Sequence, residues 1–157
     1  MAVRMELSRI LIRELNDYQI IELREMAGED AGGGGGGENG KGGAEPDGVE
    51  SLRAFPIVIG LPEAQAIERR IKGIQIKRPQ THDLLASVIT SLGGVLESIT
   101  ISDLTDHTFF ASLNVRKGGE LIHIDSRPSD AIALGVANDV PIYVEEHVIE
   151  AAINEEP

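Results

Sequence analysis

The run Ala131-Ile132-Ala133-Leu134-Gly135-Val136-Ala137 most constrains what this chain can fold into. Pro128 opens it, and beyond its first turn it has no polar side. A helix that is apolar all round is buried, so other elements must surround it. The strand-like segment Leu121-Ile122-His123-Ile124-Asp125 precedes it, and the polar knot Asp125, Ser126, Arg127, Ser129 and Asp130 lies between the two. Two carboxylates and a guanidinium at the mouth of a buried helix need an explanation in local chemistry.

The surrounding sequence supplies material for a core, but an aliphatic one. Hydrophobic residues make up 41% of the 157 and aromatic residues only 3%. The length fits one domain. There is no cysteine, which excludes disulfides, thiolate metal sites and a cysteine nucleophile and agrees with a cytoplasmic location. Arg4, Glu6 and Arg9 interrupt the N-terminus before a signal-like apolar run forms, and no run approaches the ~20 residues of a membrane span.

The net charge is −12, from 14 basic and 26 acidic residues, which argues against a phosphate-coated partner. The charge is uneven. Residues 1–55 hold 6 basic and 11 acidic groups and residues 145–157 hold 0 and 5, leaving 8 and 10 for the middle. That middle contains the cluster Arg69, Arg70, Lys72, Lys77 and Arg78. It reads as a solvated helix face or as a local anion patch.

Residues 28–48, "GEDAGGGGGGENGKGGAEPDG", read as a disordered surface loop, because such a composition buries no apolar area. Outside the loop the chain shows an internal repeat. "ILIRELNDYQII" aligns without a gap to "ITISDLTDHTFF", and "EAQAI" matches "DAIAL" further on. The repeats cover about 5–73 and 95–138 of a single domain, each reading as hairpin, third strand and helix. In the first, Ala64, Ile67 and Ile71 share the inner face of the helix opened by Pro62. In "THDLLASVITSLGG", Thr81 is the expected N-cap and Leu84, Leu85, Val88, Ile89 and Leu92 form one apolar stripe. Ile122 and Ile124 are expected to face the core. A short strand "PIYVE" and a helix near 146–154 end the pattern. The fold class is α+β, a mainly antiparallel sheet covered by helices. A strand-rich domain with short edges also suggests a homo-oligomer.

Two polar clusters could carry chemistry. At the first, Ser126, Ser129 and Asp130 cap the helix while Arg127 pairs with Asp125 or Asp130. Alternatively, Arg127, Ser129 and the helix N-terminus take a phosphate, and Asp125 and Asp130 take a divalent cation. At the second, "KRPQTHD", His82 is expected to be exposed at a helix start. Beside Asp83 and Arg78 it is a candidate general acid/base. No P-loop, GxGxxG, HExxH, GxSxG or zinc pattern is present.

The segments "FPIVIGLPEAQAI", "RPQTHDLL" and "IDSRPSDAIALG…PIYVEEHV" resemble the bifunctional nuclease domain family, small proteins of bacteria and plants, some reported to cleave both DNA and RNA. The resemblance runs from about Met5 to Ala152, with the Gly-rich insertion as a departure. It implies an α+β fold with internal duplication. Glu63, Ala64, Arg78, Pro79, Thr81, His82, Asp83, Asp125, Arg127, Pro128, Ser129 and Asp130 match its motifs. It also implies a nuclease. Read through residue chemistry, His82, Asp83, Asp125 and Asp130 are then the catalytic candidates. Arg78, Arg127 and Ser129 hold phosphate, and Asp125 and Asp130 hold Mg²⁺ or Mn²⁺. That reading requires at least two of Asp83, Asp125 and Asp130 to converge in an open cleft. The competing reading is a non-catalytic oligomeric binding domain in which each carboxylate is locked to its own helix start or to an arginine.

Overall fold

The computed structural model describes residues 1–13, 15, 18–27 and 52–154, and the expected loop at 28–48 lies outside them. The strands are β1 (Ala2–Leu11), β2 (Gln19–Glu25), β3 (Ala54–Ile59), β4 (Val95–Thr105), β5 (Thr108–Lys117), β6 (Glu120–Ser126) and β7 (Ile142–Glu145). The helices are α1 (Leu61–Ile71), α2 (Thr81–Ser91), α3 (Pro128–Asn138) and α4 (Glu146–Asn154).

Among the described residues the strands form one sheet in the order β3-β2-β1-β7-β4-β5-β6. β1–β2–β3 and β4–β5–β6 are antiparallel meanders, each followed by a helix, α1 or α3. The tight turns follow backbone chemistry. Asp106 and His107 have positive φ between β4 and β5, and Gly118 and Gly119 do so between β5 and β6, as two-residue hairpin turns require. Asp103, Leu104 and Thr105 still pair with β5, so the first of these turns is confined to Asp106 and His107. The ungapped alignment of the two halves does not carry over into strand register. Ile10 pairs with Ile21, whereas Ile99 pairs with Leu113.

β7 joins the meanders. It runs antiparallel to β1, with Val3 opposite Val144, and parallel to β4, with Ile99 opposite Ile142. A parallel partner needs a crossover, and α3 lies in that connection. The sheet curls until Phe55 of β3 stacks on Phe109 of β5, ring centroids 5.8 Å apart. α4 packs against β3, β4 and β7. At its start, Arg53 donates to Glu25 and Glu146. The bond from Arg53 holds the Glu146 carboxyl below its ordinary value.

α3 is buried as its sequence requires. Pro128, Ser129, Ala131, Ile132, Ala133, Leu134 and Gly135 are all buried. The helix packs against α1, α2, β4 and β5. The core is aliphatic, with Ile21, Leu23, Ile67, Ile99, Ile101, Val144 and Ile149 shut from solvent. Buried Asn114 is satisfied by donating to Ser98 and Thr100 and by facing His123 Nδ1 at 2.8 Å.

Three expectations are corrected. Ile71 is exposed rather than on the inner face of α1, because it sits at the helix end beyond the packed turns. α2 buries none of its residues fully. Leu84, Leu85, Val88 and Leu92 are all exposed, because the helix packs mainly against α3 and β4, which leave that stripe uncovered. Ile122 and Ile124 are exposed as well, since β6 is the terminal strand of the sheet.

Candidate active site

Three helix starts converge. α3 begins with Arg127 as an extended N-cap (φ −68°, ψ 145°) and Pro128 in the first turn, where a missing N–H does no harm. Asp130 sits in that turn, where the helix dipole favours an anion. α1 begins after Gly60, with Pro62 and Glu63 in its first turn. A Cβ on Gly60 would lie 2.5 Å from Glu63 Oε2, so the glycine leaves room for that carboxylate. α2 is capped by Gln80, not by Thr81, which is its first helical residue. The Gln80 N–H donates to Asp83 Oδ2 at 3.2 Å.

A chain of charged contacts links the starts. His82 Nε2 lies 2.9 Å from Asp130 Oδ1. Arg127 Nε donates to Asp130 Oδ2 at 2.8 Å, and Arg127 Nη2 donates to Glu63 Oε1 at 3.1 Å. Burial pushes the Asp130 carboxyl up, but the bonds from Arg127 and His82 outweigh it and hold the group below the ordinary carboxylate value. The bond to Asp130 likewise raises the Arg127 guanidinium. Asp130 is therefore an anion and His82 Nε2–H is the donor, which leaves Nδ1 with the lone pair in the neutral imidazole. A carboxylate orienting an imidazole is the arrangement general acid–base catalysis uses.

The contacts line a cleft of about 720 Å³. Its polar wall includes Glu63, Arg69, His82, Asp125, Arg127 and Asp130, and Leu85, Ile89, Leu113 and Ile124 form its apolar part. The Arg127 side chain is 67% exposed, so it keeps N–H groups free for an incoming anion. His82 is recessed, its side chain only 14% exposed, because Asp130 draws the ring inward. That corrects the expectation of an exposed histidine.

The cleft brings together His82, Asp125, Arg127 and Asp130 and leaves out the other sequence candidates. Ser129 is buried and lines a separate recess beside Pro56–Gly60 and Phe109. Asp83 caps its own helix and faces another recess. Arg78 is exposed and borders none of these cavities. Glu63 and Arg69 were not singled out as site residues. Glu63 could have been found as a motif-matching first-turn acid, and Arg69 as part of the basic cluster.

A divalent cation held jointly by Asp125 and Asp130 does not fit this donor set. Both Asp130 oxygens are already occupied, by His82 and Arg127. No group of three or more His, Asp or Glu side chains is placed to hold a metal among the described residues. Asp125 alone is open, with no hydrogen-bond or ion-pair partner among them.

The family model described as the bifunctional nuclease domain matches residues 47–156. The chain belongs to the bifunctional nuclease domain family. An uncharacterized protein of Mycobacterium tuberculosis (strain CDC 1551 / Oshkosh) is 42% identical over 100 residues, which are 64% of this chain and 59% of that protein. Bifunctional nuclease 2 of Oryza sativa subsp. japonica is 31% identical over 62% of this chain and 30% of its own length. Bifunctional nuclease 1 of Arabidopsis thaliana is 25% identical over 60% and 30%. The chain thus spans about three fifths of the mycobacterial relative and under a third of the plant bifunctional nucleases. All the cleft residues named above lie inside the matched bifunctional nuclease domain. No helix among the described residues is long and apolar enough to cross a membrane.

Proposed function

We propose that this chain hydrolyses phosphodiester bonds of nucleic acid in the cleft at the three helix starts. The observation that carries the reading is the His82–Asp130–Arg127 contact chain in an open cleft. Arg127 binds the phosphate. His82 takes the proton of an attacking water as the new P–O bond forms. The bond to the leaving oxygen breaks, and that oxygen receives the proton back from the imidazolium. Asp130 is a positioning residue, holding the ring in one tautomer. Mg²⁺ is usually bound through one or two carboxylates together with substrate phosphates. Asp125 is the group available to such an ion, whose chemistry would be to neutralise phosphate charge.

The competing reading is a non-catalytic, oligomeric binding domain. It draws on Asp83 serving only as a cap and on the net charge of −12. Under either reading the cysteine-free composition suits the cytoplasm. A nuclease assay on protein freed of contaminating enzymes, with and without EDTA, separates the two. Cleavage of DNA or RNA that His82→Ala abolishes supports hydrolysis. Cleavage that survives in His82→Ala, or none in the wild-type protein, defeats it.

A further inference from the structure

We propose that Arg69 builds a second phosphate subsite, so that a nucleic-acid chain is gripped at two consecutive phosphates, one on each side of His82. The inference rests on the reading of the cleft as a phosphodiester site.

His82 borders two cavities. One is the 720 Å³ cleft with Arg127 and Asp130. The other is a recess of about 470 Å³ lined by Arg70, the loop Gly73–Ile76 and Asp83, with Ala133 and Ala137 of α3 beneath. Arg69 borders both. A phosphodiester chain crossing His82 from one cavity to the other therefore passes Arg69.

The pairing of the cations gives the second argument. Lys72 is bound to Glu68 at 2.5 Å, and Arg127 to Glu63 and Asp130. Arg69, Arg70, Lys77 and Arg78 have no side-chain partner among the described residues. In a chain with 26 acidic residues, carboxylates to pair them are abundant. Of these four cations, Arg69 and Arg70 line the second recess, and together they leave a local positive field on an acidic protein, which draws anions to that point. Asp83, the acid in the recess, accepts the Gln80 N–H and so presents a partly satisfied carboxylate. A single phosphate needs only the Arg127 side. A chain of them uses both.

The test compares a labelled oligonucleotide with a labelled dinucleoside monophosphate, which carries one phosphodiester. Binding is read by fluorescence anisotropy in the full-length His82→Ala protein, so that neither probe is cut. Adding Arg69→Ala is expected to weaken oligonucleotide binding roughly tenfold, as loss of a charge-assisted contact does. The salt slope should fall by about 0.7 for a single strand. Affinity for the dinucleoside monophosphate and the melting temperature should not change, and Arg69→Lys should restore the slope. Equal loss for both probes, no loss for the oligonucleotide, or an equal loss of heparin binding overturns the subsite. Wild-type protein that cuts neither nucleic acid while this binding pattern holds defeats hydrolysis and leaves the subsite standing.

Discussion

His82 Nε2 and Asp130 Oδ1 lie 2.9 Å apart, although 48 positions separate the two residues in the chain. The contact joins the first turns of α2 and α3 and fixes which imidazole nitrogen carries the proton. His82→Ala should lower the rate of phosphodiester cleavage by roughly 10²–10⁴-fold, the usual contribution of a positioned acid/base. Asp130→Asn keeps the shape and loses the charge that orients the ring, so it should give a loss of similar order. Single-turnover rates on one oligonucleotide check both. An Asp130→Asn rate within twofold of wild type would remove the carboxylate from the reaction.

Arg127→Ala tests whether the cluster is open. A buried, self-bonded guanidinium would cost about 3–5 kcal/mol on removal. Arg127 is 67% exposed, so about 1 kcal/mol is expected. Urea unfolding should show that small shift while phosphate binding is lost. A shift of several kcal/mol would mean that the arginine is structural.

The lowered carboxyls predict an acid limb of stability. Asp130 is held low by Arg127 and His82 against the opposing push of burial, and Glu146 by Arg53. A group whose folded value lies below its unfolded value stabilises the fold above the unfolded value, about 4 for carboxylates. That stability is lost as pH falls through the folded value. The melting temperature should thus drop below about pH 4, and less steeply in Asp130→Asn. Identical slopes in the two proteins would show that Asp130 does not couple to folding.

Some of this was legible in the sequence, and the limits are physical. The all-apolar run from Ala131 to Ala137 fixed α3 at the centre, because no other placement hides it. The stripe from Leu84 to Leu92 marked α2 as a helix, but periodicity does not say whether a partner covers the stripe. Alternation placed Ile122 and Ile124 on one face of β6, but not β6 at the end of the sheet. Arg127 was expected to pair locally, and it does so with Asp130. Its second partner, Glu63, is 64 positions away and needed the packing of α1 against α3 to be known.

Gly94 shows how closely α2 is seated. A Cβ there would lie 2.9 Å from Val115 Cγ1 and 3.2 Å from the Ile89 side chain and carbonyl. Val115 belongs to the sheet and Ile89 to the helix, so neither is a free end that can swing away. Gly94→Ala should destabilise the protein by about 1–3 kcal/mol through overpacking. Because Ile89 also lines the cleft, cleavage should fall with it. A neutral change in thermal unfolding would mean that α2 can shift on the sheet without loss.

The exposed apolar surface predicts self-association. Leu84, Leu85, Val88 and Leu92 of α2 are exposed, as are Leu121, Ile122 and Ile124 of β6, and Leu85 and Ile124 line the same cleft. β6 is terminal in the sheet, and such an edge offers unpaired N–H and C=O groups to another strand. Antiparallel pairing with a second copy about a two-fold centred on His123 would set each Ile122 opposite the other copy's Ile124, a self-complementary match. Ile124 also lines the cleft, so the partner would lie beside the site. Sedimentation of the wild-type protein at micromolar concentration should show a dimer, and Ile122→Lys should give a folded monomer. A wild-type monomer, or a dimer that Ile122→Lys leaves intact, would place the association elsewhere or nowhere.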